Sequence, residues 1–147
     1  MTANSTNTFP QDALEKSVSQ LTLPGAHWFI RVPLALIIAN QGYLKFIDLE
    51  GGAASFGFPI WMWALAGIAE VLGAVALIVG GAVKTLNPGD GILRLLGDVV
   101  TRLGGLAIVG IVASVIWVVY WGPWEGMQFQ LMLLAGGAFF ALRGNRS

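Results

Sequence analysis

Four stretches of the chain are apolar almost without interruption, and most polar residues lie between them. They run over about residues 28–46, 60–81, 103–121 and 126–142. A helix that crosses hydrocarbon needs about 20 residues. The first three stretches meet that length; the fourth does so only with little tilt or a locally thinned bilayer. The pattern predicts an all-α membrane protein, a bundle of four transmembrane helices over residues 27–147. A polar tail over residues 1–26 precedes it, expected as partly disordered or as a surface helix. Leu14, Val18 and Leu21 fall at helical spacing around Asp12–Gln20, and Pro24-Gly25 ends that run. The tail lacks the basic start and apolar run of a secretory signal.

Small residues indicate how such helices would pack. Lipid tails are as apolar as leucine, so helices in a bilayer associate by close approach rather than by escape from water. The second stretch offers Ala69, Gly73, Ala76 and Gly80, and the first offers Ala35, Ala39 and Gly42. The third has Ala107, Gly110 and Ser114, and the fourth has Ala135 to Ala138. Each helix has a small-residue face, as a compact bundle requires.

Composition strengthens the membrane reading. The chain is 147 residues long, 56% hydrophobic and 11% charged, with a mean hydropathy of +0.73; soluble domains carry about 25% charged residues. Eight basic and eight acidic residues cancel, which argues against a nucleic-acid partner. Their positions predict orientation. Lys16, Lys84, Arg94, Arg102, Arg143 and Arg146 share one side, Arg31 is near that side, and only Lys45 is toward the other. Basic loops stay in the cytoplasm, so both termini are expected there and the chain is expected as a multi-pass protein of a bacterial or archaeal cytoplasmic (inner) membrane. The absence of cysteine excludes disulfides, thiolate zinc and covalent c-type haem. The single histidine, His27, excludes a bis-histidine haem or a multi-histidine metal site within the chain. No metal site is expected. The serines lack a histidine–acid pairing, and the glycine-rich stretches lack a phosphate-binding pattern, so a soluble-type hydrolase is disfavoured. The sequons at Asn4 and Asn145 read as chance matches.

One charge sits where hydrocarbon is expected. Glu70 lies within "AGIAEVLGAVALIVGG", with Ala66, Gly67, Gly73 and Ala74 one turn away. A charge at mid-bilayer costs about 2.5–3.5 kcal/mol unless it is paired, hydrated or neutralised. This small face predicts a helix–helix contact. On the first helix Arg31, Ala35, Gly42 and Lys45 share a face, with Gln41 beside it. Arg31 is about 12 Å from Glu70 in depth at 1.5 Å per residue. The expected buried polar network is therefore Arg31, Gln41, Lys45 and Glu70, with a Gln41–Glu70 hydrogen bond preferred.

Two further features carry candidate roles. After the Asn87-Pro88-Gly89-Asp90 turn, with Asp90 a candidate helix cap, Ile92, Leu95, Leu96, Val99 and Leu103 form an apolar stripe. Arg94, Asp98 and Arg102 stand at spacings of four, where opposite charges pair. The expectation is a cytoplasmic amphipathic turn with an ion-pair stripe leading into the third helix. On the outer side, Phe58, Trp61, Trp63, Trp117, Trp121 and Trp124 read as an interfacial belt or as the wall of a site for a flat ligand. Gly51-Gly52-Ala53-Ala54-Ser55 lets the adjoining loop fold back toward the bundle.

"IRVPLALIIANQGYLKF" places an arginine early in the first helix, with a glycine and a lysine near its end: Arg31, Gly42 and Lys45. "FPIWMWALAGIAEVLGAVALIVGG" places a proline at the entry, then a glutamate followed by glycines: Pro59, Glu70, Gly73 and Gly80. With a looser match at Arg102 and Ala107, residues 28–120 resemble the DoxX family. The ending "FFALRGNRS" departs from the serine–leucine–aspartate tail common in that family. The resemblance implies a four-helix inner-membrane protein. It also implies association with membrane redox complexes, since the family includes a subunit of a thiosulfate:quinone oxidoreductase. The function expected is an accessory subunit of a quinone-linked complex, without metal or thiol chemistry of its own. Its ligand would be a non-covalent quinone or lipid. Its partners would be membrane lipids and other subunits or further copies of the chain. The alternatives are a scaffolding subunit of a photosynthetic or respiratory assembly, with His27 as a pigment ligand, and a small oligomeric transporter with Glu70 lining its path.

Overall fold

A computed structural model describes residues 25–87, 89, 91–122 and 124–145. The expected tail helix, Lys16, the Asp90 cap and Arg146 lie outside the described residues. The described chain is helical. α1 spans Trp28–Ile47, α2 Leu49–Ser55, α3 Ile60–Leu86, α4 Gly91–Val115 and α5 Trp124–Arg143. A five-residue π-helical segment, Ile116–Tyr120, continues α4.

α3 and α4 are long and apolar enough to cross a membrane, α4 together with its π segment. α1 joins them only when taken with α2, from which it is bent by 103°. The described residues are thus all-helical, with two candidate spans among them, or three if the bent pair counts as one. α5 is 20 residues long and is not among the candidate spans. At about 1.5 Å per residue, α3 and α4 are long enough to outreach a hydrocarbon core of about 30 Å.

The long helices lie side by side in the order α1, α3, α4, α5, with a lighter contact closing α5 onto α1. Neighbours are antiparallel: Gly42 meets Gly67, Gly73 meets Gly104, Gly80 meets Gly97, and Gly105 meets Gly137. The approach at these pairs is too close for a side chain. A Cβ on Gly42 would stand 2.7 Å from the Gly67 carbonyl, and one on Gly105 would stand 2.5 Å from the Ala141 nitrogen. The α4 contacts therefore use Gly97, Gly104 and Gly105 together with the expected Ala107, which stands opposite Gly73, whereas the expected Gly110 and Ser114 are exposed. α4 has small residues on both faces, and a Cβ at Gly110 would meet nothing within 4 Å.

The exterior is more apolar than parts of the interior. Phe29, Leu36, Leu72, Ile92, Met132 and Leu142 face outward, whereas Arg31, Glu70, Thr101, Gln130 and Asn145 are buried beside Ile38, Leu77, Ile108 and Phe140. Such a distribution suits a bilayer as solvent.

Two expected local features are different in the structure. α4 already begins at Gly91, so the amphipathic turn is not a separate element but the first turns of the same helix. Its stripe of Ile92, Leu95, Leu96, Val99 and Leu103 points outward, while Gly97, Thr101 and Gly104 face in. The glycine-rich loop after α1 is itself helical. Asp48 caps α2 by accepting the Gly51 N–H at 2.8 Å. Gly52 leaves room for the Trp63 indole, whose Nε1 would be 2.7 Å from a Cβ there.

Candidate functional site

Buried polar chemistry collects at two levels of the bundle, not in one network. The first is the Arg31 end. Arg31 is fully buried. Its Nη1 donates to the Leu77 carbonyl and to Thr101 Oγ1 (3.2 Å), and its Nη2 donates to Asn145 Oδ1 (2.6 Å). The guanidinium lies 4.5 Å from the Phe140 ring centre and 5.4 Å from that of Trp28. Gly81 makes the seat: a Cβ there would be 2.8 Å from Nη1.

Asn145 ties this end together. Thr101 Oγ1 donates to its Oδ1 at 2.9 Å, and its Nδ2 donates to the Gly80 carbonyl at 2.8 Å. Its backbone N–H donates to Asp98 Oδ1 at 2.6 Å, and Lys84 Nζ donates to its carbonyl. Gly144, at φ 63°, turns the chain out of α5 to deliver it. The sequon at Asn145 marks a structural residue, almost completely buried. Only its position after the last helix hinted at this, since a glycine followed by asparagine is a common helix ending.

The expected ion-pair stripe belongs to the same end. Arg102 pairs with Asp98 at 2.8 Å, and its Nη1 donates to the carbonyls of Ala141 (3.2 Å) and Leu142 (2.7 Å). These are the open carbonyls of α5's last turn, which a cation satisfies both by hydrogen bonding and against the helix dipole. The pair therefore joins α4 to α5. Arg94 lies one turn before Asp98, on the exposed side of α4. His27, just ahead of α1, has its ring centre 5.6 Å from that of Trp28, the two rings tilted by 35°. Burial, and then the charges of Arg31, Lys84 and Arg143, push its imidazole below the usual pKa.

The second level is the Lys45 end. Glu70 is 2% exposed. Both its carboxylate oxygens accept from Lys45 Nζ, at 2.8 and 2.6 Å. The Lys45 ammonium also lies 5.1 Å from the centre of the Trp63 ring. The expected Gln41–Glu70 hydrogen bond does not form, and Arg31 is engaged elsewhere. Gln41 lies one turn of α1 before Lys45. Lysine's four-carbon stem reaches back down the helix toward Glu70, so a residue near the helix end serves a carboxylate deeper in.

Beside this pair is a cavity of about 540 Å³, within the range of small-molecule sites, about 300–1,000 Å³. Phe56, Phe58 and Trp63 wall one side; both phenyl rings stack on the indole, at 5.1 and 6.4 Å. α4 contributes the open backbone at Gly110, and the π segment contributes Val118, Val119 and Tyr120. A π turn widens a helix and is frequent at functional sites. Gln41 and Gln130 line the cavity from α1 and α5. Of the expected aromatic wall, Phe58 and Trp63 are present. Trp61, Trp117, Trp121 and Trp124 face outward at 60–70% exposure and do not line it. Helical phase separates them: Trp61 and Trp63 are about 200° apart on α3.

Compared with known proteins, the chain matches the family model described as DoxX over residues 26–87. No curated protein and no solved structure matches it.

Proposed function

Residues 26–87 of this chain belong to the DoxX family, and on that premise we propose that the protein is a small accessory subunit of a quinone-linked membrane redox complex. It holds the quinone ring in the cavity at the Lys45 end. The chain supplies no thiol chemistry, having no cysteine. Its part is to bind and orient a lipid-soluble carrier next to a catalytic partner. The observation that carries this reading is the cavity, in which an aromatic wall faces two amide side chains at the side of an apolar bundle. An apolar site with a few convergent polar groups is the usual form of a small-molecule pocket.

The charge distribution supports an orientation. Arg31, Lys84, Arg94, Arg102 and Arg143 gather at one end, and Lys45 lies toward the other. By the positive-inside rule the Arg31 end is cytoplasmic and the cavity lies toward the outer leaflet. Both termini are then cytoplasmic, and α1 and α5 complete a four-helix membrane domain. The transporter alternative has less support, because the Glu70 carboxylate is taken up by Lys45 and does not line the cavity.

The test is purification of the full chain from its native membrane in mild detergent. The expected result is co-migration with a redox subunit and extractable quinone near one per complex. A protein that runs alone, without quinone, overturns the reading.

A further inference from the structure

The cavity holds polar groups that the fold leaves unsatisfied. Gln130 is the most telling. It is 7% exposed, it lines the cavity, and its side chain makes no hydrogen bond among the described residues. Its amide is therefore open to the cavity rather than sealed in the core. Gln41, half-buried on α1, is in the same state on another wall. The Trp63 Nε1–H, on the aromatic wall, is buried and also lacks an acceptor among the described residues. Two side-chain amides without partners among the described residues therefore line one space, while the Trp63 N–H lies against Gly52.

Charge narrows what that space accepts. Lys45 is the cation on its wall, and Glu70 neutralises it at 2.6 Å. Asp48, also on the wall, adds a carboxylate. The local balance is not positive, so an anionic ligand finds no spare countercharge. The mouth is bordered by Leu44, Met62 and Val118, each 44–55% exposed on the apolar exterior. That border is apolar exterior, which suits a ligand taken from a bilayer.

Resting on the reading of this cavity as the quinone site, we infer that Gln130 is the residue that selects the ligand. With Gln41 it holds a neutral, flat ring that bears oxygen substituents, and the site rejects anionic rings. A primary amide carries both a donor and an acceptor. Its N–H donates to a ring carbonyl, and its Oε1 accepts from a ring hydroxyl. Oxidised and reduced neutral forms of one ring are therefore held by the same side chain.

The experiment measures binding to the full chain in detergent by calorimetry, with four ligands (decylubiquinone, its reduced quinol, decylbenzene and a naphthoquinone sulfonate) and with an alkyl phenyl ketone as a control. Decylubiquinone and its quinol are expected to bind within about threefold of each other, and the other two about tenfold or more weaker. Gln130→Met keeps the length and loses the hydrogen bonds. It should weaken decylubiquinone about tenfold while leaving decylbenzene unchanged. Unchanged decylubiquinone binding by Gln130→Met overturns the inference and leaves the proposed function standing. If Gln130→Met does not fold, the wild-type comparison decides: decylbenzene binding as tightly as decylubiquinone overturns it. If decylubiquinone does not bind but an alkyl phenyl ketone does, in a Gln130-dependent way, the quinone reading fails and the role of Gln130 is upheld.

Discussion

The two ends of the bundle handle buried polarity in opposite ways. At the Arg31 end, side chains from α1, α3 and α4 converge with Asn145, and the hydrogen bonds close on one another. The glycines there have no spare space: a Cβ on Gly80, Gly81, Gly97 or Gly105 would strike a neighbour at less than 3 Å. At the Lys45 end one ion pair is satisfied, but Gln41 and Gln130 line a cavity, and Gly110 is open. The first arrangement fixes the helices. The second leaves donors exposed to an occupant. The Arg31 end is not saturated, since Arg31 Nε is buried without a partner among the described residues, but that nitrogen is packed against Gly81 and does not line the cavity, whereas the unpartnered amides of the Lys45 end do.

The sharpest way to break the contrast is at Arg31. Arg31→Ala removes the hydrogen bonds to the Leu77 carbonyl, Thr101 and Asn145 Oδ1 and leaves a void beside Phe140. It should cost about 4 kcal/mol in reversible unfolding in detergent, with ligand binding lost only through unfolding. Next in size is the ion pair. Lys45→Met leaves Glu70 buried and unpaired, at about 3 kcal/mol; adding Glu70→Gln should return most of that loss, and a full double-mutant cycle measures the coupling. If the double variant is no more stable than Lys45→Met alone, the two residues do not depend on each other.

The glycines provide a smaller and cleaner comparison. Gly105→Ala forces a methyl against the α5 backbone and should lose about 2 kcal/mol. Gly110→Ala adds a methyl to open space and gains helix propensity, so it should stabilise by up to about 1 kcal/mol. Equal effects at the two positions would mean that α4 has no open face. The smallest effect is that of pH at His27. Its folded pKa lies below the ordinary imidazole value, so the unfolded chain binds the proton more readily. Stability should therefore be complete above about pH 7 and decline as pH falls through the ordinary value of about 6.5. Melting profiles of wild type and His27→Gln should diverge only on the acid side.

How much of this could be read from the sequence depended on whether one helix or two determined the answer. Periodicity within one segment places Lys45 on the same face as Arg31, and rise per residue separates Arg31 from Glu70. Both relations hold in the structure. The choice of Gln41 over Lys45 as Glu70's partner fails because depth was measured between backbones, and a lysine side chain spans more than a helical turn. Contacts set by two helices were harder to assign. α4 has glycine or alanine on two faces, so composition does not decide whether Gly104–Gly105 or Gly110 meets its neighbours. Asn145 was beyond the reach of periodicity, because it acts after α5 has ended. The hint was indirect: a glycine and an asparagine follow the last helical residue. The aromatic residues share a depth, which makes them look like one surface in the sequence. Helical phase turns Trp61 outward and Trp63 inward, and Trp117, Trp121 and Trp124 also face outward.

The claim that the Lys45 end is a ligand site is tested most directly by filling it. Gly110→Leu places a side chain in the cavity without a backbone clash. The quinone content of the purified wild type and this variant should be measured beside their unfolding midpoints. The account predicts that Gly110→Leu is at least as stable as wild type and retains less than about a tenth of the bound quinone, an affinity loss of roughly 1.4 kcal/mol or more. A variant that is equally stable and binds quinone as fully as wild type would contradict it.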